Sequence, residues 1–365
     1  MMKKALIIAA FVAVALTAYG FSKPSPLSLS PSFSQETITG DWTAKVRQTE
    51  KGPRLWLTLN STSQKGEHQF NSNFELPLQD FSGLNPNAGS NANFALRREA
   101  GEVVFTGLFS DGKGIGEFRF TPNRGFISAL NVQDRDRVTT DELFAMTVHD
   151  VSTAFINELK SRGYDKLSVD NLIAMRIHRV DGEFIGSLKA AGYDKLSVDN
   201  LMAMRIHRVD DKFIREVEAR GFPKQSVDDL LSMRIHRIDG EFIEQTKALG
   251  FKDLSLDQLL TMRIHRIDGE FIKGLQELGY RDLPFDDLVA MRIHRVDRDF
   301  VKEIEAQGFN RISAEKLVEM RIHRVDGKFI REMKEAGYNN LSIDDLIELR
   351  IHRVDASSIK KMKGN

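Results

Sequence analysis

A fixed 29-residue period runs through the C-terminal two thirds of the chain. Eight histidines mark it: His149, His178, His207, His236, His265, His294, His323 and His352. Seven of them lie in the tetrapeptide Arg-Ile-His-Arg, while the first lies in Thr-Val-His-Asp, residues 147–150. Repetition at a fixed period of this length indicates a stacked array, in which each unit covers the apolar face of its neighbour.

Each unit has the pattern of a helical hairpin. Ser168 is a helix-capping residue, and the first helix is expected to run from it to about His178 or Arg179. Asp181 can cap a second helix, whose apolar stripe is Phe184, Ile185, Leu188 and Ala191. Gly192 supplies the left-handed residue that stops this helix. A leucine-rich repeat also allows this period, but it needs alternating leucines and an asparagine ladder instead of caps and a glycine stop.

The array is expected to occupy residues 123–365. Phe126 and Ile127 repeat the Phe-Ile pair of the second helix, so a half-repeat precedes the seven full units, and a truncated unit ends the chain. Each unit begins at its capping position: Thr139, Ser168, Ser197, Ser226, Ser255, Pro284, Ser313 and Ser342.

Residues 37–122 have a different pattern, with short alternating apolar runs separated by turn-forming clusters such as Asp111-Gly112. This predicts a small antiparallel β-domain of about six strands, with Trp42, Trp56, Phe105 and Phe118 in its core. The glycine-rich segment 107–114 is interpreted as a hairpin, because its surroundings are strand-like and do not open a helix as a phosphate-binding loop would. The predicted fold class is therefore α+β, with the β-domain followed by an α-solenoid.

The N-terminus has the pattern of an export signal. Lys3 and Lys4 precede a 14-residue apolar run, Ala5 to Ala18, which predicts a secretory signal peptide over residues 1–20. Residues 21–36 are rich in serine and proline and read as a spacer. We therefore expect a periplasmic or secreted protein that meets the membrane only transiently, through the signal. The chain has no cysteine, so packing and not disulfides must hold it together.

The overall charge is balanced, with 52 basic and 52 acidic residues. No general attraction to nucleic acid or to an anionic membrane follows from this balance, and no nucleic-acid partner is expected.

The arginines of the repeat are expected to serve the fold. On a helical wheel Arg176 lies near the middle of the apolar arc formed by Val169, Leu172, Ile173, Met175, Ile177 and Val180. A buried arginine needs a partner, and the aspartate five residues later is present wherever the arginine is. We predict the structural pairs Arg176 with Asp181, Arg205 with Asp210, and Arg234 with Asp239.

The histidines lie on the opposite side of the wheel and form the predicted binding face: His178, His207, His236, His265, His294 and His323. A row of zinc sites is disfavoured, since ligand nitrogens lie about 2 Å from zinc whereas equivalent histidines should be roughly 10 Å apart. No metal, cofactor or catalytic residue is predicted. Titration of the repeated histidines near the ordinary pKa of histidine would make the array sensitive to pH.

The unit GYDKLSVDNLIAMRIHRVDGEFI, preceded by GKGIGEFRFTPN, resembles the soluble C-terminal region of bacterial membrane sensor metallopeptidases of the beta-lactam antirepressor type, and exported proteins with the same repeats. The resemblance extends from about Gly40 through most of the remaining chain. The family's membrane helices and zinc-binding motif are absent from this sequence. The resemblance therefore implies an envelope-facing sensing or binding module, with no catalytic residue carried over.

The expected function is a non-enzymatic exported interaction or sensing protein whose helical repeats bind a protein, a peptide or an envelope polymer. A structural spacer of the cell envelope is the alternative. An enzyme with a site at the junction of the two domains is a further one, with His68, Asp80 or Arg124 as its candidate residues.

Overall fold

A computed structural model describes residues 37–62, 69–86, 89–129, 137–355 and 358. The predicted signal peptide, the spacer and His68 lie outside the described residues. Within them, a curled antiparallel sheet is followed by paired helices, which confirms the predicted α+β class.

The sheet has seven strands in the described part of the chain. They are β1 (Ile38–Thr49), β2 (Gly52–Thr62), β3 (Gln69–Pro77), β4 (Phe81–Ser82), β5 (Gly89–Arg98), β6 (Gly101–Ser110) and β7 (Lys113–Pro122). Their spatial order is β3-β2-β1-β7-β6-β5-β4, and every neighbouring pair is antiparallel. Six of the strands coincide with the predicted apolar runs, whereas the two-residue β4 is too short to leave a pattern in the sequence.

Aromatic side chains fill the inside of the curled sheet. Trp42 is completely buried, and its indole N–H donates to the carbonyls of Thr106 (3.2 Å) and Glu117 (3.1 Å). Phe105 and Phe118 are buried beside it, as predicted. The indole donor needs these acceptors because an unpaired polar group in an apolar core is costly.

Trp56 was expected in the same core, and this prediction is wrong. Its neighbours Leu55 and Leu57 are completely buried, and successive side chains of a strand point to opposite faces. Trp56 therefore lies on the outer face of β2, where the guanidinium of Arg47 covers its ring at 4.1 Å.

The glycine-rich segment forms a hairpin between β6 and β7, as predicted. Asp111 (φ 50°) and Gly112 (φ 71°) both have left-handed backbone angles at the turn. Two consecutive residues with positive φ match the twist of the flanking strands.

Sixteen helices follow in the described part. They are α1 (Arg124–Ala129), α2 (Thr140–Val148), α3 (Thr153–Ser161), α4 (Val169–Ile177), α5 (Gly182–Ala190), α6 (Val198–Ile206), α7 (Asp211–Glu218), α8 (Val227–Ile235), α9 (Gly240–Ala248), α10 (Leu256–His265), α11 (Gly269–Gln276), α12 (Phe285–Ile293), α13 (Arg298–Glu305), α14 (Ala314–Ile322), α15 (Gly327–Glu335) and α16 (Ile343–Ile351).

From α2 onward, even-numbered helices are the first and odd-numbered helices the second members of each hairpin. Ser168 caps α4 and Asp181 caps α5, as predicted, each by accepting a hydrogen bond from a backbone N–H. First helices contact first helices of the next unit, as α4 contacts α6, and second helices contact second helices, as α5 contacts α7. Corresponding ends of the first helices therefore lie along one edge of the array.

The sheet packs directly on the first hairpin. Helix α2 contacts β5, β6 and β7, and the ring of its Phe144 lies edge-on to Phe120 at 5.2 Å. The backbone N–H of Thr153 donates to the Glu99 carboxylate at 3.0 Å. The β-domain therefore occupies the position that a preceding hairpin would have.

Candidate interaction edge of the helical array

The first helix of each hairpin ends in a Schellman motif. At the end of α4, the N–H of Val180 donates to the carbonyl of Met175 (2.8 Å) and the N–H of Arg179 to that of Arg176 (3.2 Å). Met175 and Val180 are both completely buried, as is usual for the apolar contact of this motif. The residue after the cap must be left-handed, and Arg179 has φ 56°.

The second helix ends in the same motif. At the end of α5, the N–H of Tyr193 donates to the carbonyl of Leu188 (2.9 Å) and that of Gly192 to Lys189 (3.0 Å). The left-handed residue is Gly192, with φ 92°. A glycine holds this position in all seven second helices: Gly163, Gly192, Gly221, Gly250, Gly279, Gly308 and Gly337. Glycine is the residue that adopts this conformation without steric cost.

The first arginine of each Arg-Ile-His-Arg motif, here called the inner arginine, ties its unit to the preceding one. Arg234 donates from Nε to the carbonyl of Arg208 (2.9 Å) and lies over the ring of Phe213 at 3.9 Å. The other inner arginines also contact a ring and a carbonyl of the preceding unit. Nε is the donor in Arg176, Arg205, Arg292, Arg321 and Arg350, whereas Arg263 donates from Nη2. The acceptor is always a carbonyl at the C-terminal end of the preceding first helix, where carbonyls lack helical partners and the dipole favours a cation.

The predicted pairs between inner arginines and aspartates are therefore wrong. Arg176, Arg205 and Arg234 reach the preceding unit, whereas the three aspartates cap the second helix of their own unit. Oδ1 accepts a backbone N–H at 2.9 Å in each of them: Asp181, Asp210 and Asp239. A capping carboxylate is held at the helix N-terminus by its N–H groups and by the dipole.

The first unit departs from the motif because its neighbour is the sheet. Asp150 stands where later units have the second arginine, and it pairs with Arg176 (2.8 Å) and with Arg98 of β5 (3.3 Å). Arg98 also pairs with Asp80 (2.6 Å). Thr147 replaces the inner arginine, is completely buried, and donates to the carbonyl of Leu143 (2.8 Å).

Exposed isoleucines form a row that the sequence interpretation missed. Six isoleucines of the Arg-Ile-His-Arg motifs are between 43% and 57% exposed: Ile206, Ile235, Ile264, Ile293, Ile322 and Ile351. The wheel placed Ile177 within the apolar arc, but the fully buried side of the helix is the one with Leu172 and Met175. Ile177 lies at the edge of the apolar arc that is farthest from these two buried residues. The helical wheel placed it in the arc because its side chain is apolar, although it does not face the core.

The second arginine of each motif, here called the outer arginine, is left-handed and exposed in every copy. These residues have φ between 54° and 58°: Arg179, Arg208, Arg237, Arg266, Arg295, Arg324 and Arg353. Within the described residues none of their guanidinium groups has an ion pair or a hydrogen bond. We call the isoleucine row together with the outer arginines the ladder edge. Large apolar side chains and unpaired cations thus alternate along one margin of the array.

The predicted histidine face lies between these two rows. Six histidines end their first helices and are half-buried, so they are less exposed than the outer arginines: His178, His207, His236, His265, His294 and His323. Burial, together with the nearby positive charge of Arg176, lowers the pKa of His149 to about 4. Burial also lowers the pKa of His178. In the described part of the chain no three His, Asp or Glu side chains come together in a way that would hold a metal ion.

The two described residues of the enzyme alternative, Asp80 and Arg124, have separate partners. Asp80 is engaged by Arg98, and Arg124 donates to the carbonyl of Val138 (3.4 Å) and to the hydroxyl of Thr140 (3.2 Å). A pocket of about 140 Å³ lies elsewhere, between the first two hairpins, and includes the ion pair of Lys189 with Asp194 (3.2 Å).

Comparisons with protein-family models, with curated proteins and with solved structures found no match to this chain. None of the helices in the described ranges is long and apolar enough to cross a membrane.

Proposed function

We propose that this chain is an exported, non-enzymatic interaction or sensing protein that holds a partner along its ladder edge. The observation that carries the proposal is the row of isoleucines from Ile206 to Ile351, each about half exposed. Exposed apolar side chains gathered on one surface and flanked by polar groups are typical of interaction sites, whereas single exposed apolar residues need no explanation. The resemblance of the repeat to the soluble region of bacterial sensor proteins supports a role in the cell envelope.

The fold does not account for these isoleucines. In the unit of α8, Leu230, Leu231 and Met233 are buried and supply the packing, while Ile235 is 45% exposed. A polar residue at this position would leave the core intact. All seven units with the Arg-Ile-His-Arg motif nevertheless have isoleucine here, which favours a role for this side chain outside the fold.

A photo-crosslinking residue placed at Ile264 tests the proposal. The matched control carries the same residue at Lys273, an exposed position in α11 that lies outside the ladder edge. In envelope preparations we expect a discrete adduct from the first position and none from the second. Equal adducts at both positions, or an adduct only at Lys273, would contradict the proposal.

A structural spacer is the second candidate, and the inner arginines favour it. Each contact they make links only adjacent units, so the stacking is the same along the array. Deleting two internal units distinguishes the candidates. A spacer keeps its partners when shortened, whereas a binding edge loses affinity for a partner that spans several units.

A further inference from the structure

We infer that the partner of the ladder edge is an extended acidic polypeptide whose carboxylates recur at every third residue. This inference rests on the proposed function and names the chemistry of the partner. Three features of the ladder edge carry it: its charge, its apolar component and its period.

The positive charge of the ladder edge indicates a partner with carboxylates or other anionic groups. Arg208, Arg237 and Arg266 have no anionic partner within the described residues. The nearest acidic residues along the chain are the capping aspartates, such as Asp239, whose Oδ1 is already bonded to the N–H of Phe242 at 2.9 Å. The outer guanidinium groups are therefore free to form bidentate contacts with external carboxylates.

The backbone conformation at these arginines does not itself require an arginine side chain. The carbonyl of Arg208 accepts from Arg234, and its left-handed angles complete the Schellman motif. Both are backbone functions that glycine would perform with less steric cost, as Gly221 does at the other helix end of the same unit. The arginine side chain contributes nothing to either function.

The isoleucines exclude a simple polyanion as the preferred partner. Phosphate or sulfate polymers are bound through cations, and such a site gains nothing from half-exposed Ile235 and Ile264 beside them. A polypeptide offers both carboxylates and apolar side chains. It can cover the isoleucines and pair the arginines within one contact surface.

The period of the array favours a particular backbone conformation of the bound polypeptide. Packed helices are separated by roughly 8 to 10 Å, which sets the spacing of successive outer arginines. A polyproline II helix has about three residues per turn and rises about 3.1 Å per residue, so it presents the same face every 9 Å or so. A β-strand presents the same face every second residue, after about 7 Å. The polyproline II repeat fits the ladder, and the strand repeat does not.

Synthetic peptides and the full chain test this inference. The probe is a labelled peptide of about six Pro-Val-Glu triplets, which at about 9 Å per triplet spans the outer arginines from Arg179 to Arg324. One control peptide has the same composition with its glutamates clustered, and another has glutamine in place of glutamate. Fluorescence anisotropy at low salt gives the affinities.

We expect the triplet peptide to bind at least about tenfold more tightly than either control peptide, because only it places a carboxylate at each arginine. We also expect about a tenfold loss in two triple variants of the chain. One is Ile206→Ser with Ile235→Ser and Ile264→Ser, and the other is Arg208→Gly with Arg237→Gly and Arg266→Gly. Thermal unfolding followed by circular dichroism checks that both variants remain folded.

Three results would overturn the inference. They are binding of the clustered peptide as tight as that of the triplet peptide, tight binding of polyphosphate that does not change in the isoleucine variant, and absence of peptide binding. None of them removes the proposed function. That proposal fails when crosslinking at Ile264 is no stronger than crosslinking at Lys273.

Discussion

The C-terminal ends of the two helices in each hairpin have the same backbone motif. They differ in the residue at its left-handed position. After the second helix, the left-handed position is always glycine, as in Gly250. After the first helix, the same position is arginine in seven units and aspartate in the first, at Asp150. The contrast separates two kinds of requirement within one repeat. Glycine is needed where only the backbone conformation matters. Arginine occupies the corresponding position at a steric cost, which indicates that its side chain has a role.

The aspartate of the first unit shows which requirement that is. Asp150 faces Arg98 of the sheet and Arg176 of the next unit, so its charge is matched within the molecule. The outer arginines of later units face no such groups within the described residues. The charge of the residue at this position therefore complements the groups opposite it. In the later units, the side chain faces the surroundings of the protein.

Among the residues of the Arg-Ile-His-Arg motif, the inner arginine is expected to have the largest effect on stability. Arg234→Ala removes a charged hydrogen bond to the carbonyl of Arg208 and the contact over Phe213. Together these should cost about 2 to 3 kcal/mol in the free energy of unfolding. Urea unfolding measures this, and Arg237→Ala in the neighbouring outer row is the control. A loss at Arg234 no greater than at Arg237 would remove the distinction between the two rows.

The first histidine should make stability dependent on pH. The pKa of His149 is about 4 in the folded chain, below its ordinary value of 6.5. As the pH falls from 6.5 to 4, the unfolded state therefore binds a proton that the folded state does not. The stability present above pH 6.5 decreases through this window, by about 1 to 2 kcal/mol after allowance for the exposed part of the ring.

Unfolding free energies at several pH values check this expectation, with His149→Gln as the control. The variant should show a smaller decrease between pH 6.5 and 4, because glutamine does not titrate whereas His178 still does. Identical pH profiles for the two proteins would show that the imidazole is not the group responsible.

Reciprocal substitutions at the two helix ends sharpen the comparison directly. Gly250→Ala puts a β-carbon at φ 103° and should cost about 1 to 1.5 kcal/mol. Arg237→Gly relieves the same kind of strain at φ 56° but removes a cation from a helix C-terminus, so the net gain should be about 0.5 kcal/mol. Thermal unfolding measures both changes. Substitutions that destabilise equally would make arginine a structural requirement like glycine.

The smallest effect is expected at the exposed isoleucines. Ile235→Ser should change the free energy of unfolding by no more than about 0.5 kcal/mol, since substitutions on the surface away from special features are usually this mild. Met233→Ala, two residues earlier and completely buried, should cost about 2 to 4 kcal/mol. If Ile235→Ser were as costly as Met233→Ala, the isoleucine would belong to the core.

The sequence predicts the elements well because their signals are local. Serine and aspartate caps, the glycine stop and the alternation of Leu55 and Leu57 each act within a few residues of the chain. Contacts between units are not encoded in this way. Nothing local distinguishes an arginine that pairs with Asp181 from one that reaches back 27 residues to the carbonyl of His149. The helical wheel also classified residues only by polarity. It therefore assigned Ile177 to the core side and did not reveal the ladder edge.

Thermal unfolding of the triple variant Arg208→Gly, Arg237→Gly and Arg266→Gly tests the central claim most directly. If the outer arginines serve a partner and not the fold, the transition temperature stays the same or rises, because three left-handed positions become glycine. A lower transition temperature would contradict the account, since it would show that these side chains stabilise the array.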